Sequence, residues 1–547
     1  MNVIKDAIEK ADEKEPPETS TEDTSGEVKK PIVKLIVGKR SQIVKELETA
    51  ILENNKRQGT TMLFQRDGLP VRIRPIGEAN KKDTFGRPPQ APGIFQCGRA
   101  FIMSHLSEVA DIVKYSKTVE DWLPADVTAD VANYFLDARG LLRFPILHGT
   151  QSTPILRTDF TLLQSEGYDS QSGLYLDFDG VKFPMISEKP TDTESANSIE
   201  RIIRLLDEFP FVSEIDKSVA LSMILTAVIR RVLPTAPAFA ISATSPGSGK
   251  TYLVDCCLML AYGYQMQPIP WARDSDEQRK RLAAISMANP ASVIFDNTEI
   301  SIGGESLCAF LTSATFQDRI LGKSETMTGT TNVLIAFTGN NLIVRDDAAR
   351  RFLLCQLDAK RDRPEERVFD NPNLIANIQR ERPQLVTDVL TWLRGYLSSK
   401  NDKPDLSPYG SFVEWSALIR SALVWAGFPD PCKSRESIDA KDTSRAELAE
   451  ILRIWHDAAG DSYISVKQAL DVTVISDFFK NLDFAGKTGK SADVSAKSVG
   501  RWLAKREGRV INVTMDEKSD AIPLRFERNS AKSDNVWKYR VGIVKSS

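Results

Sequence analysis

The sequence is poor in the residues that build metal centres and disulfide scaffolds. Its 547 residues include three histidines and six cysteines. Cys97, Cys256, Cys257, Cys308, Cys355 and Cys432 make no CxxC pairs and sit singly or in apolar settings. With the histidines far apart, this argues against a zinc site and for reduced core thiols, and so for a cytoplasmic protein. No apolar run approaches the length of a membrane span, and the opening MNVIKDAIEKADEKE has no apolar stretch for secretion. No membrane partner is expected. A large excess of one charge is also lacking. The net charge is −3, so any nucleic-acid site must be local. The length allows roughly three or four domains, each with its own core.

The most informative stretch is Phe239–Thr251, FAISATSPGSGKT. A short apolar run, Phe239-Ala240-Ile241, reads as a strand. It feeds the turn Thr244-Ser245-Pro246-Gly247-Ser248-Gly249, and Lys250-Thr251 open a run with helical spacing to Tyr264. Strand, glycine-containing loop and helix in that order are the context of a phosphate-binding loop. The glycines let backbone N–H groups turn inward around a polyphosphate, and the helix N-terminus adds partial positive charge. Lys250 then reaches the β- and γ-phosphates of a nucleotide, and the Thr251 hydroxyl holds Mg²⁺. The strict pattern begins with glycine, where this chain has Thr244.

The rest of the chain gives this loop its setting. Residues 1–30 are polar and more acidic than basic and read as a disordered tail. Ile32–Val37 reads as a strand and Ser41–Asn54 as an amphipathic helix. Strands flank an Arg66-Asp67-Gly68 turn, and Asn80–Pro92 is a loop. Thr191–Asn197 reads as a polar connector before helices at Ser198–Glu208 and Glu214–Leu233. Beyond the loop, Asp274–Met287 reads as a helix with a basic cluster, Arg279-Lys280-Arg281, which suits a solvated face as well as a partner. Ala291–Asn297 is a buried strand ending in Asp296, placed to hold the Mg²⁺ water shell. Glu305–Phe316 reads as a helix, and Arg319–Lys323 with Thr326–Thr331 as a hairpin. Asn332–Phe337 is a second buried strand, ending near Asn340, an amide able to orient a water or sense a γ-phosphate. Arg350 and Arg351 suit either an arginine finger toward a neighbouring subunit or surface pairing with Asp346 or Asp347. Phe412–Trp425 and Ser444–Ala458 are amphipathic helices. The last stretch reads as a helix (Ala496–Arg506), a strand (Val510–Met515), a polar turn (Asp516–Asp520) and two more strands. That is the outline of a winged helix, with Lys497, Arg501 and Lys505 placed for DNA phosphates or, alternatively, a fold used for protein packing.

PGSGKT, VIFDN, DRILGKSE, FTGNN, DDAARRFLLCQLD and RPEERVFDNPNL occur in that order. In this the chain resembles the helicase modules of phage and mobile-element replication proteins, in the superfamily-3-like branch of the AAA+ ATPases. The likeness is strongest over 235–400 and weaker on either side. It implies an α/β fold: a P-loop, parallel-sheet ATPase core at 235–400. An N-terminal α+β domain (31–190) and a helical connector (191–234) precede it, and a helical and winged-helix-like region (401–547) follows. It further implies a ring, usually a homo-hexamer, that uses ATP and Mg²⁺ to move on single-stranded DNA and open forks in the bacterial host cytoplasm.

Carried across by position, Pro246, Gly247, Ser248, Gly249, Lys250 and Thr251 bind nucleotide, and Thr251 and Asp296 serve the metal. Asn340 is the first sensor, and Arg350 or Arg351 the trans-acting finger. Arg319 and Lys323 fall where related proteins carry a DNA-contacting hairpin, although Arg319 could equally meet nucleotide across an interface. Asn297 stands where many ATPases have glutamate, which leaves Glu299 as the candidate base. No carboxylate cluster of a primase is visible upstream. A stand-alone helicase is therefore expected, with a separate primase or polymerase as partner. The rival readings are an ATP-switched, origin-binding initiator and a scaffold that has lost hydrolysis.

Overall fold

The computed structural model describes residues 30–544 except 59–60, 78–86, 88, 139, 320–325, 401–402, 442, 483–493, 516–519 and 531–535. Most of the N-terminal tail, most of the Asn80–Pro92 loop, Lys323 and most of the Asp516–Asp520 turn lie outside the described residues. The chain divides into two compact units. One comprises Met1–Ile300, Gly304–Leu342 and Arg351–Ser434, the other Ser301–Gly303, Ile343–Arg350 and Arg435–Ser547. Among the described residues, no helix is long and apolar enough to cross a membrane.

The first unit begins with a small α/β module. Strand β1 (Ile32–Lys34) leads into helix α1 (Arg40–Gln58). Its buried stripe, Ile43, Val44, Leu47 and Ile51, follows the 3.6-residue period. Strands β2 (Phe64–Arg66), β3 (Leu69–Pro75) and β4 (Pro92–Gln96) form an antiparallel sheet. Asp67 and Gly68 have φ of 51° and 73°, as a two-residue hairpin of matching twist requires. Helix α2 (Arg99–Val109), β5 (Asp111–Ser116), β6 (Asp121–Pro124) and α3 (Ala129–Asp137) follow. β1 pairs in parallel with β5, and Val33, Leu47, Leu106, Phe135 and Phe144 share one buried core. A strand-rich piece comes next: β7 (Gly149–Gln151), β8 (Ile155–Leu156), β9 (Leu162–Leu163), β10 (Gly167–Asp169) and β11 (Leu174–Leu176).

Thr191–Asn197 is not a connector. Helix α4 runs Asp192–Arg204, opened by a capping box in which Thr191 and Glu194 satisfy each other's backbone N–H groups. The polar first turn hides the helix from a hydrophobicity reading, while Thr191 and Glu194 at the capping spacing announce it. Asp388 of a later helix draws α4 in, accepting from Arg201 Nε at 2.7 Å and Ser198 Oγ at 3.1 Å. Helix α5 (Glu214–Ile229), capped by Ser213, is buried on every side from Ser218 onward, as a helix inside a core must be. Arg230 and Arg231 follow it and are themselves buried. Their guanidinium groups donate to the carbonyls of Leu233, Thr331, Val333 and Asn289, so no donor fork faces apolar atoms alone.

The centre of this unit is a parallel sheet. Its strands are β12 (Ala238–Ala243), β13 (Ser292–Phe295), β16 (Leu334–Asn340) and β17 (Phe352–Leu357), in the order β13-β16-β12-β17. Every pairing is parallel, and β12 is buried throughout. Such apolar, non-alternating strands are those of a sheet covered on both faces. Phe295 and Phe337 meet across the neighbouring strands β13 and β16 at 4.7 Å, and Phe337 meets Phe352 past β12 at 5.5 Å. Helices α6 (Lys250–Tyr262) and α7 (Ser275–Ala288) connect β12 to β13. Asp274 caps α7 by accepting from Glu277 N at 2.9 Å.

Helix α8 ends at Thr312, short of the expected Phe316. Thr315–Arg319 is instead strand β14, paired antiparallel with β15 (Thr326–Thr330). Phe316 is buried against Phe310 at 5.6 Å, which is why the apolar pattern continues past the helix end. Helix α9 (Leu374–Ser398) packs on α4, and a helical segment at 413–425 contains a π-helical turn, Ser416–Arg420.

The second unit has its own core, which includes Leu448, Trp455, Phe479, Leu503, Phe526 and Val541. Helices α10 (Thr443–Ala459), α11 (Val466–Leu470), α12 (Thr473–Asn481) and α13 (Ala496–Ala504) pack on an antiparallel sheet. Its strands are β18 (Ile464–Ser465), β19 (Ile511–Val513), β20 (Ile522–Arg528) and β21 (Lys538–Ile543), in the order β18-β21-β20-β19. The helix-then-hairpin outline read from the sequence is present, with β18 as an added strand.

Candidate functional site

In a parallel sheet the loops after the strands share one edge, where ligands of open α/β sheets bind. Three sequence-predicted stretches meet at that edge. Thr244–Gly249 leaves β12, Asp296 follows the last residue of β13, and Asn340 ends β16. The register sets Asn340 directly beside Ala243.

The turn itself is tightly folded. Gly247 and Gly249 have φ of 71° and 88°, a region in which a side chain costs about 1–2 kcal/mol. Ser248 is buried and donates to Ser245 O at 2.8 Å. Pro246 is exposed at the tip. Lys250 is the first residue of α6, and its Nζ donates to Asn340 Oδ1 at 2.7 Å and to Ser245 O at 3.2 Å. Partial burial lowers its pKa from the ordinary ammonium value, with Asp296 opposing that shift.

Asp296 gathers two hydroxyls. Thr251 Oγ1 donates to its Oδ1 at 3.2 Å, and Thr338 Oγ1 donates to the same oxygen. Thr338 escapes a motif reading because it sits inside β16, two residues before Asn340. The only sequence signal is a hydroxyl at the end of an otherwise apolar run. Asp255 escapes it too. It lies one helical turn beyond Thr251 on α6, on the same side. Burial pushes its carboxyl up to about 6, with a hydrogen bond from Gln265 opposing and the charge of Asp296 adding.

The other expected residues are placed as follows. Asn297 has φ of 48° and is exposed, and Glu299 is exposed three residues past Asp296. Arg350 belongs to the second unit, where it pairs with Asp347 at 2.6 Å. Arg351 is half-buried and precedes β17. Arg319 ends β14 and is exposed, and Lys323 lies outside the described residues. On α13, Lys497 and Arg501 are exposed, as is Lys505 at its C-cap, while Val499 and Leu503 face the core. The basic cluster on α7 is tied down locally: Arg279 pairs with Asp318, Lys280 with Glu277, and Arg281 donates to Pro270 O.

A cavity of about 310 Å³ opens beside Gly247–Gly249. Rings of Phe209, Tyr252 and Phe369 line it. Phe209 and Tyr252 lie 6.2 Å apart, and the Arg367 guanidinium lies 5.0 Å from the Phe369 ring. Glu208 fixes the far wall by accepting the backbone N–H groups of Asp370 and Asn371, each at 2.9 Å. These residues come from three distant stretches, and no spacing in the sequence links them.

No protein-family model matches the chain, and no curated protein matches it. Two solved structures of the apo C-terminal region of NrS-1 are similar at 11% identity. Each covers 70% of this chain and 84% of that chain, with TM-scores of 0.32 and 0.31. A crystal structure of JCV helicase with a bound phenylacetamide compound is similar at 13% identity over 47% of this chain and 72% of that chain, with a TM-score of 0.19. Likeness of this depth carries no argument about fold or activity.

Proposed function

We propose that this chain is an ATP-dependent DNA helicase of the superfamily-3-like AAA+ class. It would form a ring, move on single-stranded DNA and unwind forks during replication of a phage or mobile element. The observation that carries the ATPase reading is the convergence of Lys250, Thr251, Asp296, Thr338 and Asn340 on one sheet edge beside an aromatic-lined cavity.

The residues fit a magnesium nucleotide. Threonine hydroxyls and a carboxylate are hard oxygen donors of the kind Mg²⁺ takes, and Thr251 and Asp296 would hold it. When bound, the ion would neutralise charge developing on the transferred phosphoryl group. Gly247–Gly249 offer backbone N–H groups to phosphate oxygens, and Lys250 brings its ammonium to the β- and γ-phosphates. Phe209, Tyr252 and Phe369 would enclose the base. Asn340, already bonded to Lys250, would orient the attacking water, with Glu299 as the base in place of the missing glutamate at Asn297. Arg350 or Arg351 would complete the site of a neighbouring subunit. Positioning and charge neutralisation, rather than covalent chemistry, would supply the acceleration.

A second reading is favoured by the winged-helix outline of the second unit and the exposed Lys497, Arg501 and Lys505. In it, the chain is an initiator that uses ATP to assemble on an origin without processive unwinding. Strand displacement on forked DNA, with ATP and Mg²⁺, separates the two. Unwinding by the native chain and none by Lys250→Ala is the helicase result. ATP binding and oligomerisation without unwinding is the initiator result.

A further inference from the structure

The β2–β3–β4 sheet has two chemically opposite faces. Successive residues of a strand point to opposite sides. Val71 of β3 joins Phe64 and Leu147 in a buried cluster, and half-buried Ile73 packs against it. Arg72 and Arg74 therefore share the other face, and the pairing register puts Phe95 of β4 opposite Arg72 on it. The Arg74 guanidinium lies 3.7 Å from the centre of the Phe95 ring. The Arg72 guanidinium lies 3.7 Å from the Phe101 ring of α2, which in turn stacks on His105 at 5.6 Å and 8°. Among the described residues, neither arginine forms an ion pair. Two cations are thus held against aromatic rings, with Arg74 also donating from Nη1 to Pro75 O at 3.5 Å.

A groove of about 780 Å³ runs beside this strand, lined by Arg72, Arg74, Phe101, Tyr264 and Arg380, and on its apolar side by Ile73. Arg380, on α9, is 69% exposed. Asp177 and Asp179 also line the groove, and Arg380 pairs with Glu381 at 3.0 Å. Buried Arg382 donates to the carbonyls of Leu260, Ala261 and Ser152, so the cations left to face a ligand are chiefly Arg72 and Arg74. In a chain whose net charge is −3, this is a local cationic and aromatic strip.

We propose that this strip binds single-stranded nucleic acid, as a site additional to Arg319 and to α13. Ring faces and flat guanidinium groups stack unpaired bases without regard to sequence, while guanidinium edges take backbone phosphates. Duplex DNA keeps its base faces stacked inward and cannot use the strip in this way. The inference rests on the reading that the chain works on single strands, and it names where a strand lies outside the nucleotide site.

The test uses the full chain without nucleotide and a fluorescein-labelled oligothymidylate of about 15 nucleotides, followed by anisotropy against salt. The paired substitution Arg72→Gln with Arg74→Gln weakens binding about tenfold or more. It also flattens the salt dependence by about 0.7 in log–log slope for each phosphate that is no longer neutralised. Arg72→Lys with Arg74→Lys restores the slope but only part of the affinity, since an ammonium cannot stack; it also controls for folding. ATP hydrolysis by the native chain is measured alongside, without DNA; its absence would refute the ATPase reading while leaving the binding result intact, so the two failures carry different signatures. A 5-iodouracil oligomer cross-links to the peptides bearing Phe95 or Phe101. Binding by the glutamine pair within twofold of native, or cross-links confined to other parts of the chain, would overturn the proposal.

Discussion

Replacing Lys250 with methionine separates what this side chain does for the fold from what it does for a polyphosphate. In the fold its ammonium donates to Asn340 and Ser245. A hydrogen bond to a charged group contributes about 1.5–3 kcal/mol. Partial burial of the ammonium offsets part of that gain, which is why its pKa is lowered. Exposed Asn340 can turn to water once the charge has gone. The net change in stability is therefore within about 1 kcal/mol, or under about 2 °C in melting temperature for a unit of this size. Toward a triphosphate the balance is different. A unit charge about 4 Å from a phosphate oxygen, at an effective dielectric near 20, is worth roughly 4 kcal/mol. That corresponds to a fall of about 10³-fold in kcat/KM. Steady-state ATP hydrolysis and thermal unfolding, measured on the same preparation, provide the assay. The reasoning is refuted if kcat/KM falls less than about tenfold, or if the melting temperature drops by more than about 5 °C.

Three more outcomes follow from the same geometry. Thr338→Val keeps the buried shape but removes the hydroxyl that donates to Asp296; the Mg²⁺ concentration for half-maximal hydrolysis should rise about tenfold, read by titration with the metal. Asp255 is held up to about 6 by burial, so its folded form retains a proton that the unfolded chain has lost. Stability therefore falls as pH rises from the ordinary carboxylate value of 3.8 to about 6 and stays lower above it; Asp255→Asn should raise the unfolding temperature at pH 8 but not at pH 4. Asp388→Ala strands Arg201 and the buried Ser198 between α4 and α9. A loss of about 3 kcal/mol is expected, seen as rapid proteolysis within α4.

The parts of the site legible in the sequence are those in which function and local structure coincide. A glycine turn between an apolar run and a helix shows itself, and so does an acid or amide at the end of a buried run. The sheet needs only those runs, since β12, β13, β16 and β17 are too apolar to lie anywhere but the centre. What escapes depends on long-range meeting. Thr338 matters because β13 and β16 are neighbours, and the cavity exists because Phe209, Tyr252 and Phe369 converge from separate stretches. Two of the mistaken boundaries have local causes. At Thr191–Asn197 polarity masks a capping box, and after Thr312 the apolar rhythm runs on because Phe316 returns to Phe310 from a strand. The π-helical turn at Ser416–Arg420 leaves no mark in the residue pattern at all.

The central sheet also dictates an order of events during synthesis. β12 sits between β16 and β17, and Ala238 finds its partner Phe352 only when that residue has been made. At ribosomal speeds of about 5–20 residues per second, the wait is on the order of 10 s. Until β16 is made, a six-residue strand that is wholly buried at the end has two open edges, and from then until β17 it still has one. Such a strand is a template for wrong partners, including the same strand on a nascent neighbour. A chain released early, or translated on crowded polysomes, is therefore most vulnerable between the making of β12 and of β17. The yield of folded protein should respond to elongation rate across that window more than to any change at the surface.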